Sequence, residues 1–114
     1  MHEASIAQSL LEIAVRECEG SGYSIIESVK ISVGKAAGVM PEALLFAFDA
    51  MKAGTAAEKA SLIIDEIPVT GRCHSCGGEF CVEEKYVLCC PLCEGPSFTL
   101  LTGRELNITE MEVV

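Results

Sequence analysis

From Ala4 to Glu19 the apolar residues Ile6, Leu10, Ile13, Ala14 and Cys18 recur at steps of mostly three and four, which predicts one buried face of an amphipathic helix closed by Gly20 and Gly22. Tyr23 to Gly34 alternates instead: Val29, Ile31 and Val33 share one phase and Ser28, Lys30 and Ser32 the other, as in a strand with one wet face. Gly34 and Gly38 interrupt it. Pro41 and Glu42 suit the first turn of a second helix, where proline gives up no usable donor, and Leu44, Leu45, Phe48 and Met51 form its expected apolar side. Gly54 closes that helix, and Thr55 with Glu58 has capping-box spacing, predicting a short helical turn. A strand is expected over Ser61 to Val69, with Pro68 near its end.

Beyond Arg72 the pattern thins. Gly77-Gly78 and Gly95-Pro96 supply turns, and few apolar residues remain to build an independent core before Phe98 to Leu101 and Leu106 to Val113 resume as β-structure. Leu106 and Ile108 are in one phase and Met111 and Val113 in the other, which predicts a bulge or strand end near Thr109. The fold class predicted is α/β: two helices on a small three-stranded mixed sheet, with a four-cysteine zinc-ribbon module inserted before the last strand. The expected division is residues 1–70 with 99–114 for the α/β domain and 71–98 for the inserted one.

The inserted segment carries the clearest chemistry. Cys73-His74-Ser75-Cys76 and Cys90-Pro91-Leu92-Cys93 are two pairs of thiols, each with two residues between, so that two short turns can aim four sulfurs at one ion. Four protein ligands close a tetrahedral site to substrate and to activated water, which makes a zinc there structural. A rubredoxin-like iron centre for electron transfer is the alternative that the same turns allow. His74 lies inside the first pair as a spacer, Cys18 falls on the helix's apolar face, and Cys81 and Cys89 have no assigned role.

Length and charge narrow the classes. The chain has 114 residues, seven cysteines and a formal net charge of −9. An odd cysteine count, metal spacing and no signal peptide point to a reducing cytoplasm rather than a disulfide scaffold. The ribbon is itself acidic, with Glu79, Glu83, Glu84 and Glu94 against Arg72 and Lys85, which argues against nucleic acid as partner. No apolar run is long enough to span a bilayer. With His2 and His74 as the whole histidine complement and no nucleophile paired with a base, a binding protein is expected and not an enzyme.

The start, Met1-His2-Glu3, offers a second metal chemistry. A histidine one residue from a free amine lets the amine, the intervening amide nitrogen and imidazole Nδ1 close adjacent chelate rings, and the Glu3 amide can complete a square plane. That plane suits Ni(II) or Cu(II) and not zinc.

Together these features resemble the HypA/HybF family over almost the whole chain. The resemblance rests on the opening Met-His-Glu, Val-Lys-Ile-Ser-Val-Gly at 29 to 34, Pro41-Glu42-Ala43-Leu44 with Phe46-Ala47-Phe48, the Gly54-Thr55 step, both cysteine pairs and Gly103-Arg104-Glu105-Leu106. Cys81 and Cys89 lie outside the family pattern. The resemblance implies a nickel metallochaperone for [NiFe]-hydrogenase maturation, with His2 as principal nickel ligand assisted by backbone nitrogens of Met1 to Glu3. It implies zinc on Cys73, Cys76, Cys90 and Cys93. Implied partners are a HypB-type GTPase and the hydrogenase large subunit, with urease accessory proteins served in some organisms. The rival from another class is a zinc-ribbon interaction module without metal delivery.

Overall fold

The computed structural model describes residues 3–114 and orders them as α1 (Glu3–Gly20), β1 (Ile26–Gly34), α2 (Pro41–Met51), β2 (Ser61–Ile67), β3 (Val69–Cys73), β4 (Glu79–Val82), β5 (Phe98–Thr102) and β6 (Leu106–Val113). Two three-stranded sheets result, in the orders β2-β1-β6 and β4-β3-β5. The predicted class holds: two helices accompany a small sheet whose last strand, β6, returns after the cysteine-bearing insertion. The insertion adds a sheet of its own.

Two compact units emerge from this path. One holds the chain up to Ser32 with Val39–Asp65 and Asn107–Val114; the other holds Val33–Gly38 and Glu66–Leu106. In the first, α1 buries Ala7, Leu10, Leu11, Ala14 and Cys18. Leu11 replaces Ile13 on the expected face, because the buried stripe at i, i+3, i+4, i+7 rotates past Ile13 and leaves it 48 % exposed. The helix ends in a Schellman arrangement, Tyr23 N–H to Cys18 O at 3.0 Å and Gly22 N–H to Glu19 O at 3.1 Å, with Gly22 at φ 85°. That cap consumes Tyr23, so β1 starts three residues later than the alternation alone predicts.

Along β1, Ile26, Val29, Ile31 and Val33 are buried, the odd positions following the predicted phase. Pro41 takes the first position of α2 as expected, and Lys52 N–H to Phe48 O closes the far end. Only Leu44 and Phe48 of its expected side are buried; Leu45 and Met51 are more exposed, and Phe46 is 78 % exposed. Thr55 and Glu58 do cap, with Thr55 Oγ1 accepting from Ala57 N–H at 3.0 Å and Glu58 Oε1 from Gly54 N–H at 3.3 Å. They stabilise hydrogen-bonded turns rather than a helix. The strand expected over Ser61 to Val69 is divided at Pro68, which cannot donate to a ladder, into β2 and β3. β6 runs unbroken through Thr109, whose Oγ1 donates to Lys30 O at 3.3 Å, so no strand end occurs there.

The second unit is held at one point by backbone alone. Gly34 N–H donates to Glu105 O at 2.8 Å and Ala36 N–H to Gly103 O at 2.7 Å. A Cβ on Gly34 would stand 2.0 Å from the Gly103 carbonyl carbon and 2.1 Å from its oxygen. Backbone cannot swing aside as a side chain can. We expect Gly34→Ala to destabilise the protein by about 3 kcal/mol or more, read by denaturant unfolding, whereas Gly20→Ala, with open space around it, should change stability by under about 1 kcal/mol.

Candidate metal centre

The four predicted cysteines converge. Cys73 ends β3, Cys76 lies in the turn that leads to β4, and Cys90 and Cys93 lie in the loop before β5. Their Sγ atoms all fall within 4.8 Å of one another, with Cys73 to Cys93 at 3.5 Å and Cys76 to Cys90 at 3.9 Å. Sulfurs around a tetrahedral ion at about 2.3 Å stand about 3.8 Å apart. The donor set therefore fits one tetrahedral, thiolate-preferring ion with no position left over.

Each pair is a six-residue knuckle, and the two match at most positions, the first having in addition a Cys76 N–H to Cys73 Sγ bond at 3.4 Å. Cys73 N–H bonds to Gly78 O at 3.0 Å and Cys90 N–H to Gly95 O at 2.8 Å; Gly77 N–H returns to Cys73 O and Glu94 N–H to Cys90 O. Amides aim at the sulfurs in the same places: Ser75 and Leu92 N–H at Cys73 and Cys90, and Gly78 and Gly95 N–H at Cys76 and Cys93, at 3.3–3.4 Å. Donors of this kind stabilise thiolate over thiol. The knuckles also close over each other. A Cβ at Gly78 would meet Leu92 at 2.9 Å, and one at Gly95 would meet Ser75 Oγ at 3.1 Å. The sequence analysis missed these two glycines as site residues; their signal was present in Cys-x-x-Cys-x-Gly occurring twice.

Electrostatics separate the sulfurs. Cys73 is drawn down to about 6, first by the Cys76 N–H and further by Ser75 N–H and Cys93, against its burial. Cys93 receives the Gly95 N–H, which lowers it, but its contacts with Cys73, Cys76 and Cys90 together with burial push it up to about 12. Of this pair, Cys73 is the sulfur held toward thiolate and Cys93 the one held toward thiol.

Beneath the sulfurs, buried Cys73, Phe80 and Cys90 form the core with Val82, Val87 and Phe98 packed on it. Phe80 and Phe98 meet edge to face at 5.7 Å. Two of the six members are ligand cysteines. His74 points both ring nitrogens at hydroxyls, Nδ1 to Ser97 Oγ at 2.7 Å and Nε2 to Thr99 Oγ1 at 2.6 Å. Cys81 and Cys89 are exposed, and Cys18 is buried in α1.

Of the N-terminal candidates, Met1 and His2 lie outside the described residues. Glu3 opens α1, and its Oε2 accepts the Met40 N–H at 3.0 Å, which occupies the amide at the N-cap of α2. The described residues contain no helix long and apolar enough to cross a membrane.

Comparison with known proteins gives a consistent family. The profile described as hydrogenase/urease nickel incorporation, metallochaperone, HypA matches residues 1–113. Proteins named hydrogenase maturation factor HypA are similar throughout: that of Geotalea daltonii is 41 % identical over 114 residues, covering 100 % of both chains, and that of Geobacter sulfurreducens is 41 % identical over 113 residues, covering 99 % of each. The solution structure of the Ni metallochaperone HypA from Helicobacter pylori shares the fold at TM-score 0.71 and 21 % identity, covering 100 % of this chain and 98 % of that one.

The cluster predicts a proton-linked metal affinity. An ion must displace the Cys93 proton at neutral pH, so apparent zinc affinity should fall about tenfold or more per pH unit on acidification. The fall should steepen below about pH 6, where Cys73 takes up a proton as well. Chelator competition between pH 5.5 and 8 reads this slope; a flat profile would contradict thiolate ligation by all four residues.

Proposed function

The chain belongs to the HypA family, and from that premise we propose that it is a nickel metallochaperone which carries Ni(II) at its N-terminus to the large subunit of a [NiFe]-hydrogenase. His2 is the principal ligand, with backbone nitrogens of Met1 to Glu3 completing a square plane that suits Ni(II). The proposal includes handover together with a HypB-type GTPase, in the cytoplasm, and service to urease accessory proteins where the organism has them. Cys73, Cys76, Cys90 and Cys93 hold a structural Zn(II), within a zinc-binding domain of residues 71–98 beside a nickel-binding domain of 1–70 and 99–114.

The observation that carries this reading is the family match over residues 1–113 in a chain whose four cysteine sulfurs already converge. The two metals then have opposite tasks. A closed four-thiolate site retains its ion, and structural zinc in finger peptides contributes about 10–16 kcal/mol of apparent binding energy. A chelate of one imidazole and backbone nitrogens can be dismantled by small movements of three residues, which suits a cargo.

Nickel titration of the untagged protein, with zinc and nickel counted together, tests the proposal. His2→Ala, or an N-terminal extension that consumes the amine, should abolish stoichiometric nickel binding and leave one zinc per chain. Nickel binding unchanged by both alterations would refute the N-terminal site.

A further inference from the structure

The two knuckles share most of their hydrogen bonds, the Cys76 N–H to Cys73 Sγ bond at 3.4 Å being an addition of the first, but they differ in strain and support. The fifth residue of each, Gly77 and Glu94, turns through the left-handed region, at φ 70° and φ 64°. Glycine adopts that conformation freely, while any residue with a Cβ is opposed by the neighbouring carbonyl. Among the described residues, Glu94 is the one non-glycine at positive φ.

Support differs in the same direction. The first knuckle is the turn of a hairpin: β3 and β4 pair antiparallel up to Arg72 opposite Glu79, immediately flanking Cys73 to Gly78. Its spacer His74 bonds to the segment entering β5, by its N–H to Ser97 O at 3.0 Å and by its ring to Ser97 and, within the strand, Thr99. The second knuckle hangs between loops, since no strand occurs between Val82 and Phe98.

We propose that the zinc site is a one-sided gate: the knuckle Cys90–Gly95 opens and closes while Cys73–Gly78 stays seated on its hairpin, and the backbone strain at Glu94 sets how readily it opens. Opening relieves the strained turn, so the strain favours the open form. Once Cys93 and Cys90 leave the ion, two ligands hold it, the freed thiolates take up protons, and the zinc passes to whichever chelator is present. This inference rests on the zinc assignment above and adds to it an order of release. Solvent access does not supply that order, because Cys76 and Cys93 are both exposed.

Zinc-loaded protein is mixed with the chromogenic chelator 4-(2-pyridylazo)resorcinol to time zinc release, and separately pulsed with N-ethylmaleimide, with peptide mapping to find which of the four site cysteines is alkylated first. Glu94→Gly should slow release about fivefold, and Glu94→Ala should match the wild type because it keeps the strain and removes only the carboxylate. Wild-type protein should be labelled at Cys93 before Cys76. A Glu94→Gly rate equal to wild type, a Glu94→Ala rate as slow as Glu94→Gly, or labelling of Cys76 first would each overturn the gate. Less than one zinc per chain in the starting protein would overturn the zinc assignment and the gate with it; full zinc with equal rates overturns the gate alone.

Discussion

Four sulfurs gathered within 4.8 Å cannot all be thiolates unless a cation stands among them. Two unit charges about 4 Å apart repel by about 4 kcal/mol at the effective dielectric of a protein surface, and the cluster contains six such pairs. Protons can relieve this, as the contrast between Cys73 at about 6 and Cys93 at about 12 illustrates. Zinc relieves it for all four at once. The surrounding chain is arranged for the charged state: the amides of Ser75, Cys76, Gly78, Leu92 and Gly95 all aim at sulfur. Because Cys73 and Cys90 are also two of the three buried residues beneath the site, an ion that neutralised the ligands would also complete the core of the unit.

This dual use explains what was legible in the residues. Cysteine spacing brought out the four sulfurs that converge because a knuckle admits few lengths, and the scarcity of apolar residues after Arg72 agrees with a core in which cysteines are two of six members. Of the internal sheet, β5 was legible as β-structure from Phe98 to Leu101, while β4 and the sheet's pairing were not. β3, β4 and β5 are four or five residues long, and their pairing follows from the knuckle turning the chain back on itself, not from alternation. In the other unit, β1 could be read from its phase because one face is buried. The α1 face was misplaced by one position because Ile13 and Leu11 both fit a step of three or four from neighbours, and hydrophobicity alone does not choose between them. The exposure of Phe46 follows the helical phase, which leaves it off the apolar side expected of Leu44, Leu45, Phe48 and Met51.

The equivalence of the knuckles also bears on how little sequence a metal site needs. Cys73 to Gly78 and Cys90 to Gly95 share two cysteines and a final glycine and differ at the other three positions, yet they reproduce one hydrogen-bond pattern. What the pattern requires is an amide at the third and sixth positions and room at the sixth. Side chains at the third position, Ser75 and Leu92, are free to differ because each covers the other knuckle's glycine. The fifth position is where the equivalence is incomplete, since glycine satisfies it without strain and glutamate does not.

A nickel site at a chain terminus follows the opposite logic. A site built inside a fold constrains several residues at fixed separations, and those separations remain readable. A chelate made of a terminal amine, backbone nitrogens and one imidazole constrains a single residue type at a single position, so His2 carries almost no signal outside its company. The family match extending from residue 1 through the cysteine pairs supplies that company. The proposed function would thus divide retention and release between ligand sets of different kinds: four side chains fixed by the fold for the ion that stays, and nitrogen atoms of the first three residues for the ion that leaves. A carrier whose cargo site were as closed as its four-cysteine site would bind nickel well and deliver it poorly, because every ligand exchange would have to break the fold that holds the metal.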